Sequence, residues 1–133
     1  FGHQKGDAVL SCLGELLNSE KRDVDYAARY GGEEFAIIMP ETTGAEAVEM
    51  AERLRSRIPR IAAGAELSAH FISASFGVAD MPACVNDSAA LVCAADGALY
   101  SAKRKGRNRV VYYSDLPASE QNVGSSGSVR RAG

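Results

Sequence analysis

Gly31 and Gly32 lie between two short β-capable runs, Asp25–Tyr30 and Phe35–Met39, and this placement commits the middle of the chain to a hairpin. Glycine tolerates the positive φ angles that a tight two-residue turn requires, so the pair predicts such a turn. Pro40 closes the second run, because proline cannot continue a central strand. The tip carries Glu33 and Glu34, two adjacent carboxylates that repel each other. Neighbouring strand residues point to opposite faces, so only a twist at the turn would bring the two acids together. Two carboxylates at one tip suit a divalent cation, which removes their repulsion and can itself bind phosphate oxygens. A solvated hairpin with two exposed acids is the plainer reading of the same segment.

Helical periodicity flanks the hairpin. Ala8, Val9, Cys12, Leu13, Leu16 and Leu17 predict a one-faced helix between Lys5 and Asn18. Thr43 with Glu46 reads as a capping box opening a second helix along Val48, Ala51, Leu54, Ile58 and Ile61, which Pro59 is expected to end or kink. Ile72, Ala74, Phe76 and Val78 alternate within His70–Ala79, a half-buried strand. A third helix from Ser88 to Lys105 stops at Gly106, and Arg109–Tyr113 is a last short strand. From Pro117 onward the chain is small, polar and glycine-rich, so the folded domain is placed at residues 1–113 and a disordered tail at 114–133. The order α-β-β-α-β-α-β predicts an α+β fold with helices packed around a mainly antiparallel sheet. A ferredoxin-like βαββαβ core has a strand ahead of its first helix, so that strand is expected to be missing from this chain.

The 133 residues suffice for one domain with a real core. A net charge of −2 argues against a chain-wide attraction for nucleic acid, so any anion must be gripped locally. Tyr30, Phe35, Phe71 and Phe76 also lack the spacing of an RNA-stacking sheet. Cys12, Cys84 and Cys93 form no CxxC pair and read as reduced thiols of a cytosolic protein. No apolar run approaches the roughly 20 residues of a membrane span. The chain starts at Phe1-Gly2-His3 without an initiator methionine and reads as a piece of something longer.

Local anion grips are visible. Lys103-Arg104-Lys105-Gly106-Arg107-Asn108-Arg109 holds five cations in seven residues. Those in the last helical turn complement the macrodipole, but Arg107 and Arg109 lie past the glycine, where a polyphosphate partner would account for them. Arg22 and Asp25 fit a local ion pair of small worth, or a site for guanine and phosphate. Asp7 can charge or cap the first helical turn, and His3 beside it reads as a structural hydrogen-bonder.

Five phrases in order resemble the GGDEF family, the diguanylate cyclases. They are GHxxGDxxL at Gly2–Leu10, RxxD at Arg22–Asp25, RYGGEEF at Arg29–Phe35, SxSFGVA at Ser73–Ala79 and ADGALYSAKRKGRNRV at Ala95–Val110. The resemblance implies a nucleotidyl-cyclase fold and the condensation of two GTP molecules into cyclic di-GMP, with Mg²⁺ or Mn²⁺ at the phosphates and two subunits meeting as a homodimer. By the same resemblance Glu33 ligates metal, and Glu34 assists it or deprotonates the attacking hydroxyl. Gly31 and Gly32 let the nucleotide lie against the turn, Asp7 pairs with the guanine edge, and Lys103 and Arg107 bind the β- and γ-phosphates. Arg22 and Asp25, with Arg53 as a secondary arginine, correspond to an inhibitory cyclic di-GMP site. The family's DxDxFKxxND phrase, with its metal-binding Asp, is absent from these residues, which are therefore expected to be inactive alone. The resemblance further implies a bacterial cytoplasmic protein, or the cytoplasmic part of a sensor, with an N-terminal sensory or receiver domain. A module that binds cyclic di-GMP or GTP without turnover is the alternative.

Overall fold

The computed structural model describes residues 3–64 and 73–121, with only the backbone described at 3–7 and 60–64. The elements are α1 (His3–Glu20), β1 (Tyr26–Arg29), β2 (Phe35–Ile38), α2 (Gly44–Gly64), β3 (Phe76–Val78), α3 (Ser88–Arg104), β4 (Val110–Tyr112), a 3₁₀ turn (Tyr113–Asp115) and α4 (Ala118–Gln121). The α-β-β-α-β-α-β order follows the sequence periodicity, and the mixture of helix and sheet is α+β. Among the described residues the chain forms two compact units, one holding residues 3–41, 56–64 and 73, the other 42–55 and 74–121.

In the first unit β1 and β2 pair antiparallel, with Tyr26 opposite Ile38 and Arg29 opposite Phe35. Leu16 and Leu17 near the end of α1 are buried, as their spacing requires. Gly14 brings the α1 backbone close to Phe35, whose ring would touch a Cβ there at 4.0 Å.

The second unit is a βαβ arrangement: β3 and β4 run parallel, with Phe76 opposite Val110, and α3 connects them. Asp87 opens α3 by accepting the Ala90 amide at 2.8 Å. Ala94, Ala98 and Ala102, spaced by one turn, are all buried and let the helix approach the sheet closely. Gly77 lies directly beneath the α3 backbone at Ala95 and Leu99. At the start of α2 the capping box is formed, with Glu46 N donating to Thr43 Oγ1 at 3.2 Å and Thr43 Oγ1 donating to Glu46 Oε1 at 3.0 Å.

Four expectations are corrected or narrowed. The strand placed at His70–Ala79 is only Phe76–Val78, because its register is set by the three residues of β4; positions 70–72 lie outside the described residues. Of the two outcomes expected at Pro59, an end or a kink, the end does not occur: α2 runs on to Gly64. An interior proline costs about 3 kcal/mol, and burial of Leu54 and Ile58, at about 2 kcal/mol each, offsets it. Regular structure also runs past Pro117, as far as Gln121, while positions 122–133 of the expected tail lie outside the described residues. Leu116 is buried, Gln121 Nε2 donates to the Leu116 and Tyr113 carbonyls, and Tyr113 OH donates to Gln121 O at 2.8 Å. The hairpin connection is the fourth: five residues, Tyr30–Glu34, separate the strands instead of two, and neither glycine takes a left-handed φ. Among the described residues no helix is long and apolar enough to cross a membrane.

Candidate functional site

The hairpin tip is closed by Glu34 N donating to Gly31 O at 3.4 Å and Tyr30 N donating to Glu34 O at 2.8 Å. Arg29 folds over the turn and donates from Nε and Nη2 to Gly32 O. A Cβ on Gly32 would meet nothing within 4 Å, so the glycine leaves open space above the tip. Glu33 is exposed, whereas Glu34 is half-buried and its Oε1 is shut off from solvent with no hydrogen-bond partner among the described residues. A buried carboxylate oxygen without a partner is costly, which marks the place where a cation or donor would be satisfied. Among the described residues no three His, Cys, Asp or Glu side chains gather to form a complete metal cage.

At the end of α1, Arg22 and Asp25 form more than the weak surface pair their spacing suggested. Arg22 donates to Asp25 through its backbone N at 2.9 Å, through Nε at 3.1 and 3.2 Å, and through Nη2 at 2.8 Å. Nη2 also donates to Pro40 O at 3.1 Å, tying the entrance of β1 to the exit of β2. The Asp25 side chain is 0% exposed and that of Arg22 is 46% exposed, so the carboxylate faces inward and only the guanidinium is presented. Hydrogen bonds from Arg22 outweigh the opposing effect of burial and hold the Asp25 carboxyl below the usual 3.8.

A lowered folded value means that Asp25 contributes stability above the ordinary carboxylate range and loses it as pH falls through the folded value. Asp25→Asn is therefore expected to lower stability at neutral pH by about 1 kcal/mol, discounted for the exposed arginine. It should also flatten the loss of stability on acidification below about pH 4. Urea midpoints measured across that range check both effects; parallel profiles for the two proteins would rule them out.

In the second unit α3 ends in a closure at Gly106, with Arg107 N donating to Ala102 O at 3.0 Å. Arg104 lies over the Tyr100 ring at 5.8 Å and Lys105 pairs with Glu120 at 3.7 Å. Arg109 Nε donates to Arg107 O at 3.0 Å. Arg107 is exposed, and among the described residues its guanidinium has no partner. Lys103 is half-buried on the last turn of α3, and Arg53 is exposed on α2. The structure thus joins Arg22 with Asp25 and groups Gly31, Gly32, Glu33 and Glu34 at one tip. Asp7 belongs to α1, and its side chain lies outside the described residues.

Sequence reasoning did not anticipate the Asp80 cluster of the second unit. Asp80 accepts from Tyr112 OH, from Cys84 Sγ at 3.0 Å and from Gly44 N at 3.1 Å, fastening the start of α2 to the βαβ unit. Burial pushes the Asp80 carboxyl up, yet the bonds from Cys84, Tyr112 and Gly44 outweigh it and the net shift is downward. Burial and the Asp80 bond push the Tyr112 hydroxyl well above its usual value of 10.0. Gly44 makes room for this ring: a Cβ there would lie 2.7 Å from Tyr112 Cε1, and the ring would have to move.

The fold is that of the nucleotidyl cyclases, the class to which its solved neighbours belong. The family model described as diguanylate cyclase, GGDEF domain, matches residues 1–109, and the chain belongs to that family. Diguanylate cyclase A of Treponema denticola is 36% identical over 110 residues, covering 83% of this chain and 30% of the relative. The GGDEF domain of DgcB from Caulobacter crescentus, solved in complex with c-di-GMP, superposes with a TM-score of 0.74 at 29% identity, covering 86% of this chain and 68% of that one. The active GGEEF domain of a diguanylate cyclase from Vibrio cholerae gives 0.73 at 35% identity, covering 85% and 71%. The chain spans less than a third of the length of the curated relatives it matches.

Proposed function

We propose that residues 1–113 are part of the catalytic domain of a bacterial diguanylate cyclase, which condenses two GTP molecules into cyclic di-GMP and two pyrophosphates once the family's DxDxFKxxND segment completes it. The observation that carries the reading is the unpartnered, buried Glu34 Oε1 beside exposed Glu33 at an open glycine turn. Mg²⁺ is commonly held by one or two carboxylates, with water and substrate phosphate filling its remaining positions, so this pair fits Mg²⁺ or Mn²⁺ as part of a site that the metal-binding Asp of the family's DxDxFKxxND phrase would complete. When bound, such an ion neutralises charge developing on the phosphate oxygens.

Other roles fall to residues of this chain. Gly31 and Gly32 leave room for the triphosphate and ribose, and Asp7 reads the guanine edge. Lys103 and Arg107 hold the β- and γ-phosphates by charge-assisted hydrogen bonds. In the reaction a 3′-hydroxyl oxygen forms a bond to the α-phosphorus of the second GTP, and the bond to the bridging oxygen breaks. Pyrophosphate leaves with that electron pair, while Glu34 or water takes the hydroxyl proton. Two copies of the domain, each bearing one GTP, meet for both bonds to form. A preceding sensory or receiver domain governs that meeting. Arg22, oriented by Asp25, receives the cyclic product as inhibitor, and Arg53 takes the secondary role that the family resemblance gives it.

Incubating the full-length protein with GTP and Mg²⁺ is expected to yield one cyclic di-GMP for every two pyrophosphates. Folded protein that binds GTP yet forms no cyclic product would overturn the reading in favour of a receptor module.

A further inference from the structure

We propose that Asn108, gripped by Arg55 and Ser75, is a positioning residue that aims Arg107; the inference rests on the phosphate-binding role of Arg107 proposed above. The loop after α3 contains three successive residues with left-handed backbone: Gly106 at φ 121°, Arg107 at φ 63° and Asn108 at φ 47°. Glycine accepts this as the ordinary end of a helix. Two further non-glycine residues in that region are strained, since L-residues visit it singly and at a cost. Such strain persists only where the surroundings over-determine the backbone.

Asn108 is where they do so. Its N–H donates to Ser75 Oγ at 3.2 Å, and Arg55 Nη1 donates to its carbonyl at 3.5 Å and to its Oδ1 at 3.4 Å. Arg55 is itself braced by Glu52 at 2.8 Å. One residue later, Arg109 O accepts from Phe76 N at 2.9 Å and starts the β3–β4 ladder. Arg107 is therefore fixed on both sides, by the helix closure before it and by Asn108 after it. Arg104, Lys105 and Arg109 are engaged with Tyr100, Glu120 and the Arg107 carbonyl, whereas the Arg107 guanidinium is left to reach outward. The strain is thus spent on pointing one cation. Asparagine suits the post because it tolerates left-handed backbone and offers an acceptor to Arg55.

The test is a double-mutant cycle in the full-length protein, reading affinity for a non-hydrolysable GTP analogue with Mg²⁺, steady-state kinetics and Tm. Asn108→Ala is expected to weaken analogue binding and raise KM about tenfold, the size of one charge-assisted hydrogen bond, with kcat changed less than about threefold. Asn108→Asp keeps the acceptor and the backbone tolerance and should restore binding. In an Arg107→Ala background, Asn108→Ala should cost nothing further, because there is no guanidinium left to aim. An equal loss in both backgrounds, or unchanged affinity in the single variant, would overturn the proposal. Unchanged affinity in Arg107→Ala itself would overturn it by a different route, through failure of the phosphate assignment.

Discussion

Glu34→Gln is expected to lower cyclic di-GMP synthesis by about a thousandfold while leaving the melting temperature unchanged or slightly raised. The two effects share one cause. Glu34 Oε1 is buried without a partner, so in the metal-free protein this carboxylate is a burden on stability of about 1–3 kcal/mol. Glutamine keeps the shape and removes the charge, which eases the burden and deletes the ligand together. Mg²⁺ or Mn²⁺ should raise the melting temperature of the parent protein with GTP analogue present, and should fail to do so in the variant. Activity retained within tenfold, or a variant that melts well below the parent, would show that Glu34 belongs to the scaffold and not to the chemistry.

The largest expected effect on stability is at Gly77. A Cβ there would strike the Ala95 carbonyl oxygen and the Leu99 amide nitrogen and come within 2.9 Å of Leu99 Cα. These are backbone atoms of α3, and neither helix nor strand can yield locally. Ala94, Ala98 and Ala102 already bring the two elements as close as small side chains permit. Gly77→Ala should therefore cost about 3 kcal/mol or more, seen as a fall in melting temperature of about 10 °C. An unchanged melting curve would mean that α3 does not ride directly on β3.

What the sequence revealed and what it hid divide along the range of the interactions. The Thr43–Glu46 box, the helices and the pairing of the two strands around Gly31-Gly32 depend on residues within a turn or two, and all are present, whereas the two-residue turn gave way to the longer connection Tyr30–Glu34. The shortness of β3 depends on pairing with β4, 34 positions away in register (Phe76 with Val110), which alternation within one run does not encode. Burial of Asp25 likewise follows from the packing of the hairpin base, not from RxxD spacing. The packed turn at Leu116–Gln121 left a faint local signal in Pro117, a residue suited to the start of a helix, but its weight comes from Tyr113 and Leu116. For the candidate site, acids and cations were legible as residue types. Which of them lacked a partner was not, because that is a property of neighbours: Glu34 Oε1 and the Arg107 guanidinium emerge only when every nearby donor and acceptor is accounted for.

The Arg22–Asp25 clasp has a consequence for any anion arriving at that arginine. Asp25 is a tethered rival, held beside the guanidinium at an effective concentration set by its short tether. An incoming phosphate must either share Arg22 with its clasp or displace it, and displacement would also loosen the bond to Pro40 O that closes the hairpin base. The apparent dissociation constant is then set jointly by the ligand and by how often the clasp opens, so the threshold for response can be tuned by residues that never touch the ligand.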